Sequence, residues 1–354
     1  MAENISLAIA GQLYGGWKGI ELQSSIEQGA TIFNLSVTEK WAGQKTHRPI
    51  VPGSPCKLLI DGAAIVDGYI DDVEADYDAA SHEIRLPGRC RIGDLVDSAA
   101  VVDGDHEYLD IGLGEIAARI AKPFGVAVRA EVGLGAPFAR FAIQPGETAW
   151  EAIERACRYR AVLPNGDGLG SLVLTRAGRG GRAAGALTLG ENIERATGTF
   201  SYRERFSLVV VRGQQENVDG VDPEVAVSPE GRAKDPSVNR YRPTVIVAEQ
   251  AGGEVSFADR AAWQVRFARG RSRSVSYTVA GWRDAGGELW RQNTLIPVVD
   301  PYLGINEELL IVSVGLTLDE NGSHADLKLA PRDAYDLLPE PEPETADTSL
   351  MGVE

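Results

Sequence analysis

The stretch DGDHEYLD gathers Asp103, Asp105, His106, Glu107 and Asp110, carboxylates and an imidazole of the kind that ligate metal ions. Its ligand order is not that of a calcium loop, the central glycine is missing, and no His-Glu-x-x-His pair occurs in the chain. A solvated acidic turn is the expectation. GDGLG, residues 166–170, has the composition of a phosphate loop but precedes the strand-like SLVLTR, so no helix N-terminus would face an anion there. A hairpin turn is expected instead. His47, His82, His106 and His324 are scattered without the spacing of a catalytic triad, and 51 acidic residues nominate no particular glycosidase pair. Cys56, Cys90 and Cys157 are far apart and odd in number, which argues for buried free thiols over a disulfide framework or a paired-cysteine zinc site. No catalytic residue, metal or cofactor is expected.

The elements that would carry these residues are mostly strands. In a chain of 354 residues, 44% hydrophobic and 24% charged, there is enough apolar material for two or three globular domains. No apolar run approaches the ~18 residues of a membrane span and no leader is recognisable, so the protein is expected to be cytoplasmic when made, with no membrane insertion. A net charge of -16 excludes a general nucleic-acid coat.

Up to about Ser98 the apolar residues alternate with period two, as at Ile5, Leu7 and Ile9, at Ile20 and Leu22, and at Phe33, Leu35 and Val37. Asp61-Gly62 between two apolar runs predicts a type I′ hairpin, and Gly68 a bend. After Ser98 the period changes. Leu113, Ile116, Ala117, Ile120 and Ala121 share one helix face that Pro123 ends, and Thr148 with Glu151 has capping-box spacing for a second helix. Two β-type runs around the GDGLG turn complete a small α+β unit. GRGGRAAG, residues 178–185, reads as a surface connection. Strands return from Phe200, with a long polar loop near 213–243 and one helix that Ser256 and Asp259 open. Further strands are expected at 274–279, 295–299, 308–318 and 325–329.

The predicted fold is therefore α+β and mainly β. It comprises a barrel-like antiparallel β domain at 1–98, a small α+β domain with two short helices at 99–182, and a second barrel-like β domain at 183–335. An extended acidic Pro/Glu-rich tail occupies 336–354. Arg260, Arg266, Arg269, Arg271 and Arg273 form a basic cluster in an acidic chain, suited to a solvated helix face or an acidic protein partner. Trp17, Trp41, Trp282 and Trp290 lie near strand starts and turns, as core corners or interface anchors do.

YGGWKGIELQSSIEQGATIFNLSVTEKW, the stretch from Arg48 to Ala100 with its segment GRCRIGDLVDSAA, and the C-terminal VAGWRDAGGELWRQNTLIPVVDPYLGI resemble the baseplate hub proteins of Mu-like contractile-tailed phages, from about Leu13 to Tyr335. The resemblance implies a homotrimer without catalytic activity, whose two barrel-like domains per subunit make a pseudo-sixfold ring. Such a ring joins the tail tube to a threefold central spike, contacts other baseplate proteins, and leaves a channel for transient passage of double-stranded DNA. The related spike proteins of type VI secretion systems continue into a spike β-helix that is not recognisable here, so a separate spike partner is expected. Assembly in the host cytoplasm and residence in the virion tail follow. Trp17, Ile20, Leu22, Trp282, Trp290, Arg266, Arg269 and Arg271 are the candidate interface residues under this reading. A shorter resemblance, IQPGETAWEAIERACRYRA at 143–161, is to the opening of a LysM peptidoglycan-binding module, and wall binding is the alternative function it implies.

Overall fold

A computed structural model describes residues 4–38, 50–78, 82–101, 106–213, 230–248, 255–340 and 342. The N-terminal region forms β1 (Ile5–Ile9), β2 (Gln12–Tyr14), β3 (Gly19–Ser25), β4 (Ile32–Thr38), β5 (Pro55–Ile60), β6 (Ala63–Ile70), β7 (Glu74–Tyr77) and β8 (His82–Cys90). Its alternation is that of the sequence. Leu7, Phe33, Leu35, Leu58 and Leu86 point into the core while their neighbours face out. Asp61 and Gly62 both take positive φ, 51° and 81°, and close the β5–β6 hairpin. Gly68 makes no bend. β6 continues through it, and a Cβ there would lie 1.9 Å from the Arg89 carbonyl oxygen on β8.

A short helix, α1 (Ile92–Asp97), opens the middle region, where the sequence reading placed no helix. It is followed by β9 (Glu107–Ile111), α2 (Leu113–Ala121), β10 (Ala127–Ala130), β11 (Phe138–Ala142), α3 (Ala149–Arg158), β12 (Leu163–Gly166) and β13 (Ser171–Thr175). At the head of α3, Thr148 Oγ1 accepts from the Glu151 N–H at 3.1 Å and the Glu151 carboxylate accepts from the Thr148 N–H at 2.9 Å. β10 runs parallel to β13, which pairs antiparallel with β12.

The rest forms β14 (Leu187–Thr188), β15 (Ile193–Phe200), β16 (Leu208–Gly213), β17 (Glu230–Lys234), β18 (Pro243–Ala248), α4 (Phe257–Arg271), β19 (Arg273–Ala280), β20 (Leu295–Asp300), β21 (Ile305–Asp319) and β22 (Gly322–Ala330). Within the stretch expected as a long loop, 230–234 is a strand, and another, 243–248, begins at its end; residues 214–229 lie outside the described residues. β16, β17, β18 and α4 make a small separate layer, with Val209, Val211, Ala261 and Val265 as its core.

The expectation of two barrels is corrected. Fourteen strands share one sheet, whose path β15-β19-β22-β21-β3-β4-β8-β6-β5-β1-β2 crosses from the C-terminal to the N-terminal region, and no barrel closes among the described residues. The crossing is the antiparallel pairing of β21 with β3, Ser313 opposite Ser25 and Leu318 opposite Ile20. Alternation tells which face of a strand is buried but not which strand it pairs with, so a joint between distant segments leaves no local trace. One hydrophobic core runs beneath all three regions, from Leu7 through Ile116 and Ile153 to Leu327.

Candidate assembly surfaces

The residues with chemical potential are occupied in structural roles. Asp103 and Asp105 lie outside the described residues, as do His47 and Trp41. Of their companions, Glu107 is ion-paired with Arg140 at 2.5 Å, while His106 and Asp110 are exposed. Among the described residues, His, Cys, Asp and Glu nowhere gather in threes as a metal ion requires. The GDGLG segment is the β12–β13 hairpin turn; Asp167 Oδ1 accepts from the N–H groups of Leu169 and Ser171, both at 2.9 Å. The three cysteines are buried and free. Burial pushes the Cys56 thiol up to about 12 and raises Cys90 and Cys157 as well, so none supplies a thiolate near neutrality. Trp150, the aromatic residue of the LysM-like stretch, packs against Gly29 and is not presented to solvent as a free platform.

The aromatic and aliphatic interface candidates are largely internal. Ile20, Leu22, Trp282 and Trp290 are core residues, and Trp17 is half-buried against the same core. Trp282 Nε1 donates to the Thr317 carbonyl at 2.9 Å, and the Trp290 N–H to the Trp282 carbonyl at 3.0 Å. The two tryptophans thus brace the loop that leads into β20. In the following DPYLGI turn, Asp300 accepts from the N–H groups of Tyr302 and Leu303 and from the buried Tyr277 hydroxyl.

The arginine cluster meets acids of its own chain. Arg269 reaches Asp235 at 3.2 Å, Arg273 pairs with Glu307, and Arg266 lies 3.8 Å from Asp336. Arg271 stands over the rings of Phe267 and Tyr335. Asp235 is enclosed by the buried Arg205 at 2.7 Å, by Arg269 and by Ser237. Burial pushes its carboxyl up, but hydrogen bonds from Ser237 and Arg205 outweigh that and hold it at about 2.

The first described residues of the acidic tail are docked. Trp263 Nε1 donates to the Asp336 carbonyl at 2.9 Å, Arg158 pairs with Glu340, and Arg160 pairs with Glu342 at 2.6 Å. Arg160 stacks over the Phe138 ring, 3.7 Å from its centroid, so its guanidinium is fixed before the tail arrives. Neither anchor carries a sequence motif.

The surface that sequence reasoning missed is the outer face of the large sheet. One cross-strand row reads Arg195, Thr278, Asp326, Gly315 and Gln23; a second reads His324, Thr317, Glu21, Asn34 and Pro87; a third joins Thr197, Ser276, Lys328, Ser313 and Ser25. Each row crosses from the C-terminal into the N-terminal strands with no aromatic, leucine or valine, and the first continues from Gln23 to a single isoleucine, Ile32 on β4. Lys328 is paired with Glu27 at 2.7 Å and the His324 ring is hydrogen-bonded to Glu194 at 2.9 Å, while Arg195 has no acidic partner within ion-pair distance among the described residues. The opposite face of the same strands, through Leu22, Leu35, Val314, Leu316, Leu327 and Tyr277, is buried and, apart from Ser24, apolar in side-chain type. Polar residues alternating with these core positions are the signal that could have found it.

The molecule is thus a large sheet with one polar face, joined through a common core to a helical middle region and bearing no metal-ligating cluster among its described residues. Family models agree along the chain: residues 4–90 match the N-terminal domain of the Mu phage baseplate assembly protein GpP-like family, 92–176 the second domain of the baseplate hub protein gp44-like family, and 254–338 the fourth domain of GpP. Baseplate hub protein gp44 of Escherichia phage Mu is 33% identical over 351 residues, covering 96% of this chain and 90% of gp44. Among solved structures, the 43 kDa tail protein of prophage MuSo2 from Shewanella oneidensis superposes with a TM-score of 0.81 at 34% identity, over 95% of this chain and all of that one. The tail protein from Neisseria meningitidis MC58 shares the fold, with a TM-score of 0.77 at 22% identity over 96% of this chain and 100% of that one. The chain belongs to the baseplate hub family of Mu-like phages and is a structural protein of the tail baseplate. Among its described residues no helix is long and apolar enough to cross a membrane.

Proposed function

We propose that three copies of this chain form a ring that joins the sixfold tail tube to a threefold central spike, with the outer face of the large sheet lining a channel for double-stranded DNA. The three polar rows carry this reading. An interface between proteins needs a desolvated centre with apolar anchors, and these rows offer only Ile32, at the end of one of them. A wall past which DNA slides needs small, hydrated, charge-balanced side chains without free cations to hold phosphate. The face is mixed in charge, Glu21 and Asp326 sharing it with Lys328 and Arg195.

The joining of N-terminal and C-terminal strands through β3 and β21 also supports the ring, because two strand regions per subunit in three subunits supply six to face a sixfold tube. Contacts to tube, spike and neighbouring baseplate proteins then fall to the rims and edges of the ring. Assembly takes place in the host cytoplasm, without catalysis or cofactor. Of the arginines, Arg266, Arg269 and Arg271 retain exposed surface for such contacts.

The test is electron microscopy of the purified protein. Threefold rings with an opening of roughly 20 Å or more, wide enough for B-DNA, and with Gly315 and Gln23 facing that opening would support the reading. Rings with the polar rows turned outward would overturn the lining assignment, and monomers in the presence of both spike and tube would overturn the ring.

A further inference from the structure

Buried polar side chains concentrate at one place in the fold. A cavity of about 400 Å³ is lined by the small sheet of β10, β12 and β13, by the core face of the large sheet, and by the loop that leads into β20. That volume lies within the roughly 300–1,000 Å³ of small-molecule sites. Six of the eleven buried polar or charged residues among those described line it: Ser24, Thr31, Asn165, Thr175, Asn293 and Thr294. A void left by imperfect packing would be apolar, because a buried polar group without a partner is costly.

Some of this polarity is used within the wall. Thr175 donates to the Glu131 carboxylate at 2.9 Å and Thr294 to the Arg291 carbonyl at 2.7 Å, while Asn293 spans the Gly178 N–H and the Arg176 carbonyl. Two atoms are not used. The amide oxygen of Asn165 and the indole N–H of Trp290, on residues 9% and 8% exposed, are buried without a hydrogen-bond partner. One accepts and the other donates. A hydroxyl group answers both, whereas a carboxylate has nothing to donate and an ammonium nothing to accept with. The charges of the wall also cancel: Arg129 is paired with Glu131, and Asp167 and Arg291 add one of each sign, so an ionic ligand gains little. Leu22, Val173 and Leu316 supply apolar surface beside these groups.

We propose that this cavity binds a neutral, polyhydroxylated molecule of monosaccharide size, whose hydroxyl groups accept from Trp290 Nε1 and donate to Asn165 Oδ1 while its carbon skeleton lies on Leu22, Val173 and Leu316. Both polar atoms are covered in this conformation. The ligand meets them by a turn of the two side chains toward the cavity, through which each gains the hydrogen bond it lacks. The site is complete within one subunit and stands apart from the outer polar rows of the sheet.

Titration of the full-length, isotope-labelled protein tests this, with the tryptophan indole N–H resonances as the readout. Glucose, galactose and mannose are the probes, and inorganic phosphate is the charged control. At least one sugar should shift an indole resonance saturably, with a Kd of roughly 1 mM, and phosphate should not compete. That resonance should be the one lost in Trp290→Phe, which keeps an aromatic ring and removes the donor. Asn165→Ala should weaken binding about tenfold without lowering the melting temperature, since it removes a buried group that has no partner; it retains the indole, so it decides the matter even if Trp290→Phe does not fold. Absence of a saturable shift with all three sugars would overturn the proposal. An affinity unchanged in Asn165→Ala would overturn it too, because binding would then lie elsewhere, as would displacement of the sugar by phosphate, because the site would then select charge. Crystals soaked in the sugar that show ordered water alone against Asn165 and Trp290 would likewise overturn it.

Discussion

Asp235 shows how one side chain sets the acid limit of a whole unit. Its carboxyl is held at about 2, below the ordinary 3.8, so its contribution to stability is fully present above pH ~4 and is lost as pH falls through the folded value. That depression is worth about 2 kcal/mol. Denaturant melts of the protein between pH 5 and 2 should show the loss, and Asp235→Asn should flatten it. Asp235→Ala should cost about 3–5 kcal/mol, because it strands the buried Arg205 guanidinium. Gly68 sets a different kind of limit. Gly68→Ala drives a methyl into the Arg89 carbonyl and should lower the melting temperature by several degrees or abolish soluble expression, as calorimetry of the purified variant would show.

Elements with a local cause were legible. The capping box of α3, the Pro123 stop after α2, the Ser256 cap of α4 and the Asp61-Gly62 hairpin each lie within a few residues and each appears where the spacing puts it. Thr148→Ala should cost about 1 kcal/mol of stability, and Glu151→Gln less, since an amide oxygen still accepts the reciprocal bond. Urea midpoints at constant slope would measure both. Elements with a distant cause were not legible. α1 is six residues long, too short for a periodic pattern to emerge. Trp282 and Trp290 looked alike as anchors or as core, and only the position of Thr317 decides for the core. Of the proposed channel wall, the residues were visible as polar alternates, but the order that places Gln23 beside Gly315 was not, because register between remote strands is set by packing.

At the scale of the molecule, the proposed ring makes a prediction about passage. Gln23→Lys with Gly315→Lys adds two cations per copy on the polar face, only one of them opposite an acid, Asp326, and a Cβ at Gly315 meets only ordinary contacts. Particles built from this variant should assemble normally, yet release DNA more slowly, with the delay shrinking as salt rises. An unchanged release rate at low salt would place the face elsewhere.

The union of β3 with β21 has a consequence for synthesis. Ser25 donates through its hydroxyl to the Val312 carbonyl, a partner 287 residues further along the chain. At ~5–20 residues per second the ribosome needs roughly 15 to 60 seconds to deliver that partner. Throughout that interval one edge of β3 has no neighbour, and Glu21 and Gln23 on its outward side guard it against pairing with other nascent chains. A polypeptide released early would keep that edge bare and lack half of the polar wall. Completion of the sheet therefore waits on nearly the whole of the chain.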